Sequence, residues 1–157
     1  MREDATRPGE KEAPLPDRAD ARLVFIGRIR TPFATRDQCP RQGSHDGPDC
    51  RIEVDEPWRE ALDGLAAYPL IEALYWMHRA RRDLVVQSPK ANGRMFGTFA
   101  LRSPVRPNPI ATSIVRLVGV EPWGLVVRGL DCLDETPLLD LKPFRGDFTP
   151  KVLSKDA

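Results

Sequence analysis

The sequence predicts a mainly β fold: a compact β-barrel, closed or nearly closed, with one short helix and irregular loops. Three observations carry this prediction. Sixteen prolines and eleven glycines in 157 residues interrupt helical continuity along the chain. Short runs rich in β-branched and aromatic residues recur between turn-forming residues. One stretch alone, starting near Pro57, has apolar residues spaced as on a helix face.

The elements follow in chain order. Residues 1–21 are charged and proline-bearing, with almost nothing to bury, and are expected to be a disordered tail. The barrel domain is expected over residues 22–150, followed by a short C-terminal tail, 151–157. Leu23-Val-Phe-Ile26 has strand content, continued after Gly27 by Arg28-Ile-Arg30 and stopped at Thr31-Pro32-Phe33. Residues 34–50 are polar, hold Gly43, Gly47 and two prolines, and read as a loop. Arg51–Val54 alternates as a short strand does. Asp55 is placed to cap the helix, Pro57 to open it, and Trp58, Ala61, Leu62 and Leu65 to form its apolar face. Leu74–Met77 reads as a buried strand, followed by the basic cluster His78, Arg79, Arg81 and Arg82. Leu84–Val86 is a further short run. Met95, Gly97, Phe99 and Leu101 alternate as in a half-buried strand. Ser113–Val120 and Leu125–Leu130 form a hairpin about Glu121-Pro-Trp-Gly124.

Composition narrows the function classes. A formal net charge of +1 argues against a globally basic nucleic-acid binder but leaves room for a local patch. No run of eighteen apolar residues predicts a membrane span, and no apolar leader opens the chain, so a cytoplasmic protein is expected. Cys39, Cys50 and Cys132 contain no Cys-x-x-Cys pair, and an odd count argues against a disulfide framework. Two histidines far apart make a zinc site an unpromising expectation, and no metal is expected. No Gly-x-Gly-x-x-Gly precedes a helix, so a Rossmann nucleotide site is not supported.

The chemistry-bearing residues concentrate between Gly93 and Phe144. Pro104, Pro107 and Pro109 fix φ over the block Arg102-Ser-Pro-Val-Arg106-Pro-Asn108-Pro-Ile110 and push the preceding residues toward extended conformations. Arg102 and Arg106 therefore sit on a stiff ribbon, where a guanidinium can clamp a carboxylate or phosphate. The plain alternative is a pair of surface ion pairs of little energetic weight. Asp131 follows the apolar run Leu125–Leu130, at a strand end that can present a carboxylate to an amine, a ribose hydroxyl or an adenine amino group. Turn chemistry accounts equally for Asp131 and better for Asp134. Asp140 and Lys142 are read as pairing with each other or facing solvent. His78 is read first as a hydrogen-bonded structural residue, the arginines after it as a solvated face, and Cys132 as a small buried residue without a base partner.

These blocks resemble the TsaA-like family, also called YaeB-like or TrmO. The resemblance is carried by Gly93–Ile110, by Leu130-Asp131 with Thr136–Phe144, by Ile26–Phe33 and by Pro40–Gly43, and spans about residues 23–145. It implies a YaeB-like β-barrel that binds S-adenosyl-L-methionine without a Rossmann sheet, as a homodimer. It also implies methylation of N6 of threonylcarbamoyl-adenosine at position 37 of tRNA, with the anticodon loop as partner. Carried over by motif, the cofactor would meet Gln42, Gly43, Ser44 and His45, then His78, Arg79, Arg102 and Thr112, and the segment Arg128, Gly129, Leu130 and Asp131. Arg102 and Asp131 are the candidate catalytic residues, Asp131 as proton acceptor or as cofactor ligand. Three departures stand out. Glu135 replaces a glycine common in the family, so that turn is expected to differ somewhat; Ala111 follows Pro-Asn-Pro-Ile where glycine is common; and the chain ends soon after the barrel, where some relatives continue into a further domain. Methylation of a small molecule or another RNA, and a non-enzymatic nucleotide-binding barrel, are the rival readings.

Overall fold

The computed structural model describes residues 5–146. Nine strands form among them: β1 (Lys11–Glu12), β2 (Gly27–Arg30), β3 (Cys50–Val54), β4 (Leu70–Trp76), β5 (Leu84–Gln87), β6 (Phe96–Gly97), β7 (Ile110–Glu121), β8 (Gly124–Arg128) and β9 (Thr136–Pro143). Six of them close a barrel in the order β2-β3-β8-β7-β4-β9. All of its pairings are antiparallel. Closure leaves the barrel no free strand edge.

Alternation along each strand builds the core. Cys50, Ile52 and Val54 point inward from β3, and Ile71, Ala73 and Tyr75 from β4. Ile29, Val115, Leu125, Val127 and Leu138 complete the interior and are fully buried. Burying each large aliphatic side chain contributes about 1.5–3 kcal/mol. A truncation such as Ile52→Ala therefore costs about 2–5 kcal/mol once the cavity it leaves is included.

Several expectations are corrected. Of the strand expected over Leu23–Ile26 and Arg28–Arg30, only the later part forms, as the first barrel strand, Gly27–Arg30. Its neighbour β3 ends at Val54, which pairs with Gly27, so Leu23, Val24 and Phe25 have no strand beside them and are exposed. The helical stretch after Pro57 is present as two short 3-10 turns, Trp58–Leu62 and Leu65–Ala67, that bury Leu62 and Leu65. The half-buried strand expected over Met95–Leu101 shrinks to Phe96–Gly97 and a 3-10 turn, because only Thr98 of that stretch faces inward. The eight-residue β9 was not expected as a strand, although Thr136 and Leu138 alternate inward and its pairing with β2 and β4 is what closes the barrel.

A second, smaller sheet, β1-β5-β6, stands beside the barrel. Its β1 lies within residues 1–21, where Lys11 pairs with Val86 and Glu12 with Leu84. This sheet supports the proline ribbon. Gln87, fully buried, donates from Nε2 to Thr98 Oγ1 at 2.8 Å and to the Val105 carbonyl at 2.7 Å. Thr98 Oγ1 donates in turn to the Leu84 carbonyl at 2.6 Å. Residues 147–157, which include the expected C-terminal tail, lie outside the described residues.

Candidate functional site

The proline ribbon, the loop before β3, the end of β4 and the end of β8 surround one cavity of about 1460 Å³. Arg102 and Asp131 both line it. So do Gln42, Gly43, His45, His78, Arg79, Thr112 and Gly129. Three residues carried over from the resemblance stand elsewhere. Ser44 Oγ accepts the Asp46 backbone N–H, the Arg128 guanidinium is bonded to Asp49 at 2.5 Å, and Leu130 is packed in the core.

The loop comes close because two glycines let it. A side-chain carbon on Gly43 would sit 1.8 Å from the Gly129 carbonyl oxygen, so the two backbones touch directly. Gly129 itself has φ +112°, which disfavours any side chain. Above it, His45 Nε2 lies 2.9 Å from the Ile114 carbonyl. That bond requires a proton on Nε2, which leaves Nδ1 as an acceptor in the neutral ring.

Tyr75 organises the acidic side of the cavity, although in the sequence it reads only as part of a buried strand. Its ring is buried in the barrel, and its hydroxyl donates to Asp131 Oδ1 at 2.9 Å while lying 2.7 Å from Ser113 Oγ. With Tyr75 donating to Asp131, Ser113 donates to Tyr75. Burial raises the phenol's pKa well above its ordinary 10, so it remains a donor across the physiological range. Thr112 Oγ1 donates to Glu72 Oε1 at 3.0 Å, placing a second carboxylate on the same wall.

The two ribbon arginines divide their work. Arg106 donates from one nitrogen to the Leu101 and Ser103 carbonyls, at 2.8 and 2.9 Å, and so braces the ribbon. The exposed Arg102 guanidinium has no hydrogen-bond or ion-pair partner among the described residues. The basic cluster after β4 divides likewise. Arg79 lines the cavity, Arg81 pairs with Asp83 at 2.8 Å and Glu12 at 2.9 Å, and Arg82 donates to the Pro107 carbonyl at 2.6 Å beneath the ribbon. His78 is held below its usual pKa by partial desolvation and by the charge of Arg79, which favours the neutral ring. Cys39 also lines the cavity, and desolvation followed by the charge of Asp131 raises its thiol pKa, which argues against a thiolate nucleophile. Cys132 is fully buried. Among the described residues no three of His, Cys, Asp and Glu are gathered to hold a metal ion, and no helix is long and apolar enough to cross a membrane.

The cavity therefore presents a carboxylate oriented by a buried phenol, a second carboxylate, an imidazole acceptor and an unpartnered guanidinium. Such a set can hold a zwitterion, a diol or a nucleobase amine.

Residues 28–148 match the family described as tRNA-methyltransferase O N-terminal domain. The chain is 53% identical over 144 residues to a Rhizobium radiobacter protein named a probable S-adenosyl-L-methionine-binding protein, VirR, covering 92% of this chain and 82% of that one. It is 32% identical over 139 residues to the Mus musculus tRNA (adenine(37)-N6)-methyltransferase, covering 82% of this chain but 32% of the mouse protein. A crystal structure of TrmO from Pseudomonas aeruginosa superposes with a TM-score of 0.68 at 31% identity, over 88% of this chain and 63% of that one. The chain thus spans less than two thirds of the solved protein.

Proposed function

The chain belongs to the tRNA-methyltransferase O N-terminal domain family, and from that premise we propose that it is an S-adenosyl-L-methionine-dependent methyltransferase whose acceptor is N6 of threonylcarbamoyl-adenosine at position 37 of tRNA. The observation that carries this reading is the convergence of Arg102 and Asp131 on one cavity.

The residues present fit the cofactor. The close approach of the Gly43 and Gly129 backbones holds the loop, and His45 with it, against the end of β8. Asp131 and Glu72 offer acceptors for its amino group or ribose hydroxyls, and Arg102 offers a guanidinium for its carboxylate. A volume of about 1460 Å³ exceeds the range of roughly 300–1,000 Å³ usual for one small ligand, so a second reactant has room. Gln42, Gly43, His45, His78, Arg79, Arg102, Thr112, Gly129 and Asp131 are the proposed binding residues. When bound, the cofactor supplies an electrophilic methyl group on a sulfonium.

The chain's own task is alignment. An adenine N6 amine is a poor nucleophile, because its lone pair is delocalised into the ring. Fixed orientation of the reactants lowers the barrier by up to about 7–11 kcal/mol. Tyr75 holds Asp131 Oδ1, and Oδ2 has no protein partner among the described residues. That second oxygen is the proposed acceptor for the proton that N6 must lose, a contribution of about 10²–10⁴-fold. Arg102 stays charged and so binds rather than acting as a base.

The relatives' names support the cofactor and the methyl transfer more broadly than the acceptor: the Rhizobium radiobacter protein is named for the cofactor alone, and the more distant mouse protein for adenine 37. Tritiated methyl incorporation separates the readings. Labelling of tRNA that carries the threonylcarbamoyl group, but not of tRNA lacking it, supports the proposed acceptor. Cofactor binding with no labelling of either tRNA supports the small-molecule or ligand-binding barrel instead. We further propose a homodimer, on the exposed apolar run Leu23–Phe25, and a cytoplasmic location, where tRNA is available. A monomer in light scattering would remove the dimer.

A further inference from the structure

We infer that residues 5–13 are a strap that walls the cavity and supplies it with Arg7 as a binding side chain for a phosphate of the methyl acceptor. This rests on the methyl-transfer reading above.

The strap is built in, not draped. Glu10 is a buried carboxylate that accepts the Ser88 N–H at 2.8 Å with one oxygen and the Arg7 N–H at 3.0 Å with the other. The Arg7 guanidinium donates to the Ser88 carbonyl at 2.5 Å. Both backbone groups of Ser88 are thus held by the strap. Further along, Arg81 bonds Glu12 at 2.9 Å and the Ala13 N–H donates to the Asp83 carbonyl at 2.7 Å. A buried carboxylate is costly unless its lone pairs are satisfied, so a segment that places one against β5 is specified to lie there.

The anchoring uses one nitrogen of Arg7. The remaining guanidinium donors have no partner among the described residues, and the side chain lines the cavity. The charge there is lopsided. Six arginines line it (Arg7, Arg36, Arg41, Arg79, Arg102 and Arg106) against the two carboxylates Glu72 and Asp131. A donor that is itself a sulfonium with one carboxylate does not balance that excess. An acceptor bearing phosphates does. Phe99, an 82% exposed ring, lines the same cavity as Arg7 and can take a stacked base.

The test is fluorescence anisotropy of a short RNA hairpin with adenosine in its loop, titrated with the full chain at several salt concentrations, beside calorimetry with S-adenosyl-L-methionine. Arg7→Ala is expected to weaken the hairpin about tenfold and to lower the slope of log K on log salt by about 0.7, the value of one phosphate contact on a single strand. Arg7→Lys should recover part of the loss. Glu10→Ala, which frees the strap, should resemble Arg7→Ala. Cofactor affinity should not change in Arg7→Ala. Wild-type hairpin binding and salt slope in Arg7→Ala would overturn the inference while leaving methyl transfer standing, as would loss of cofactor in place of RNA. Should Glu10→Ala not fold, Arg7→Ala alone decides. A wild-type protein that binds cofactor but no hairpin overturns the strap's role only. One that binds neither takes the broader reading with it.

Discussion

The Tyr75 hydroxyl donates to Asp131 Oδ1 at 2.9 Å across 56 residues of sequence, tying the end of β4 to the segment after β8 on the wall of the cavity. The bond joins a core ring to the carboxylate proposed to take the proton. Tyr75→Phe keeps the packed ring and deletes the donor. It should destabilise the fold by about 1–3 kcal/mol in denaturant melts and slow single-turnover methyl transfer about tenfold. Asp131→Asn should slow transfer by about 10²–10⁴-fold with a smaller effect on stability. Equal, small effects on rate from both would remove Asp131 from the chemistry.

Gly43→Ala tests the loop. Its new methyl would meet the Gly129 carbonyl at 1.8 Å, so one backbone must move. Strain of this kind costs about 1–3 kcal/mol. The loop is the part free to yield, so the barrel should melt nearly as wild type while cofactor affinity, read by calorimetry, falls at least tenfold.

Glu135 has φ 64°, the left-handed conformation that glycine adopts without strain. The turn that lacks the glycine thus holds a glutamate in the left-handed conformation, with its carboxylate 2.8 Å from the Arg30 guanidinium. Glu135→Gly should raise the stability read from denaturant melts, by about 1 kcal/mol at most. Glu135→Ala, which keeps the strain and loses the ion pair, should not.

Alkali should unfold the protein through its buried thiols. Burial, followed by the charge of Asp49, pushes the Cys50 thiol from 9.0 up to about 11. The folded state therefore holds this proton more tightly than the unfolded chain does. Its stabilisation is complete below pH 9 and is lost as pH rises through about 11. Denaturation midpoints should be level from pH 7 to 9 and fall beyond, and Cys50→Ala should flatten part of that fall.

Much of the site could be read in the residues. The prolines around Arg102 mark a stiff ribbon, and a carboxylate just past an apolar strand marks Asp131, so both stand out in the sequence. Strand content alone misplaced β2, because Leu23–Phe25 looks like a strand but lacks a partner. Thr136–Pro143 was passed over because prolines and charges flank its short alternation. Tyr75 was invisible as a site residue. A tyrosine in an apolar run reads as core, and only the barrel's register brings its hydroxyl to Asp131. Arg7 was hidden by the polar, proline-bearing composition of its segment, whose anchors are hydrogen bonds to distant backbone.

The most direct measurement is calorimetric titration of S-adenosyl-L-methionine into Arg102→Ala and Arg106→Ala beside wild type. Arg102 makes no bond within the described protein, so its loss should leave the melting curve nearly unchanged. Arg106 braces the Leu101 and Ser103 carbonyls, so its loss should lower the melting temperature. The account predicts that wild type binds and that Arg102→Ala, while fully folded, binds at least tenfold more weakly. Wild-type affinity in folded Arg102→Ala would contradict it.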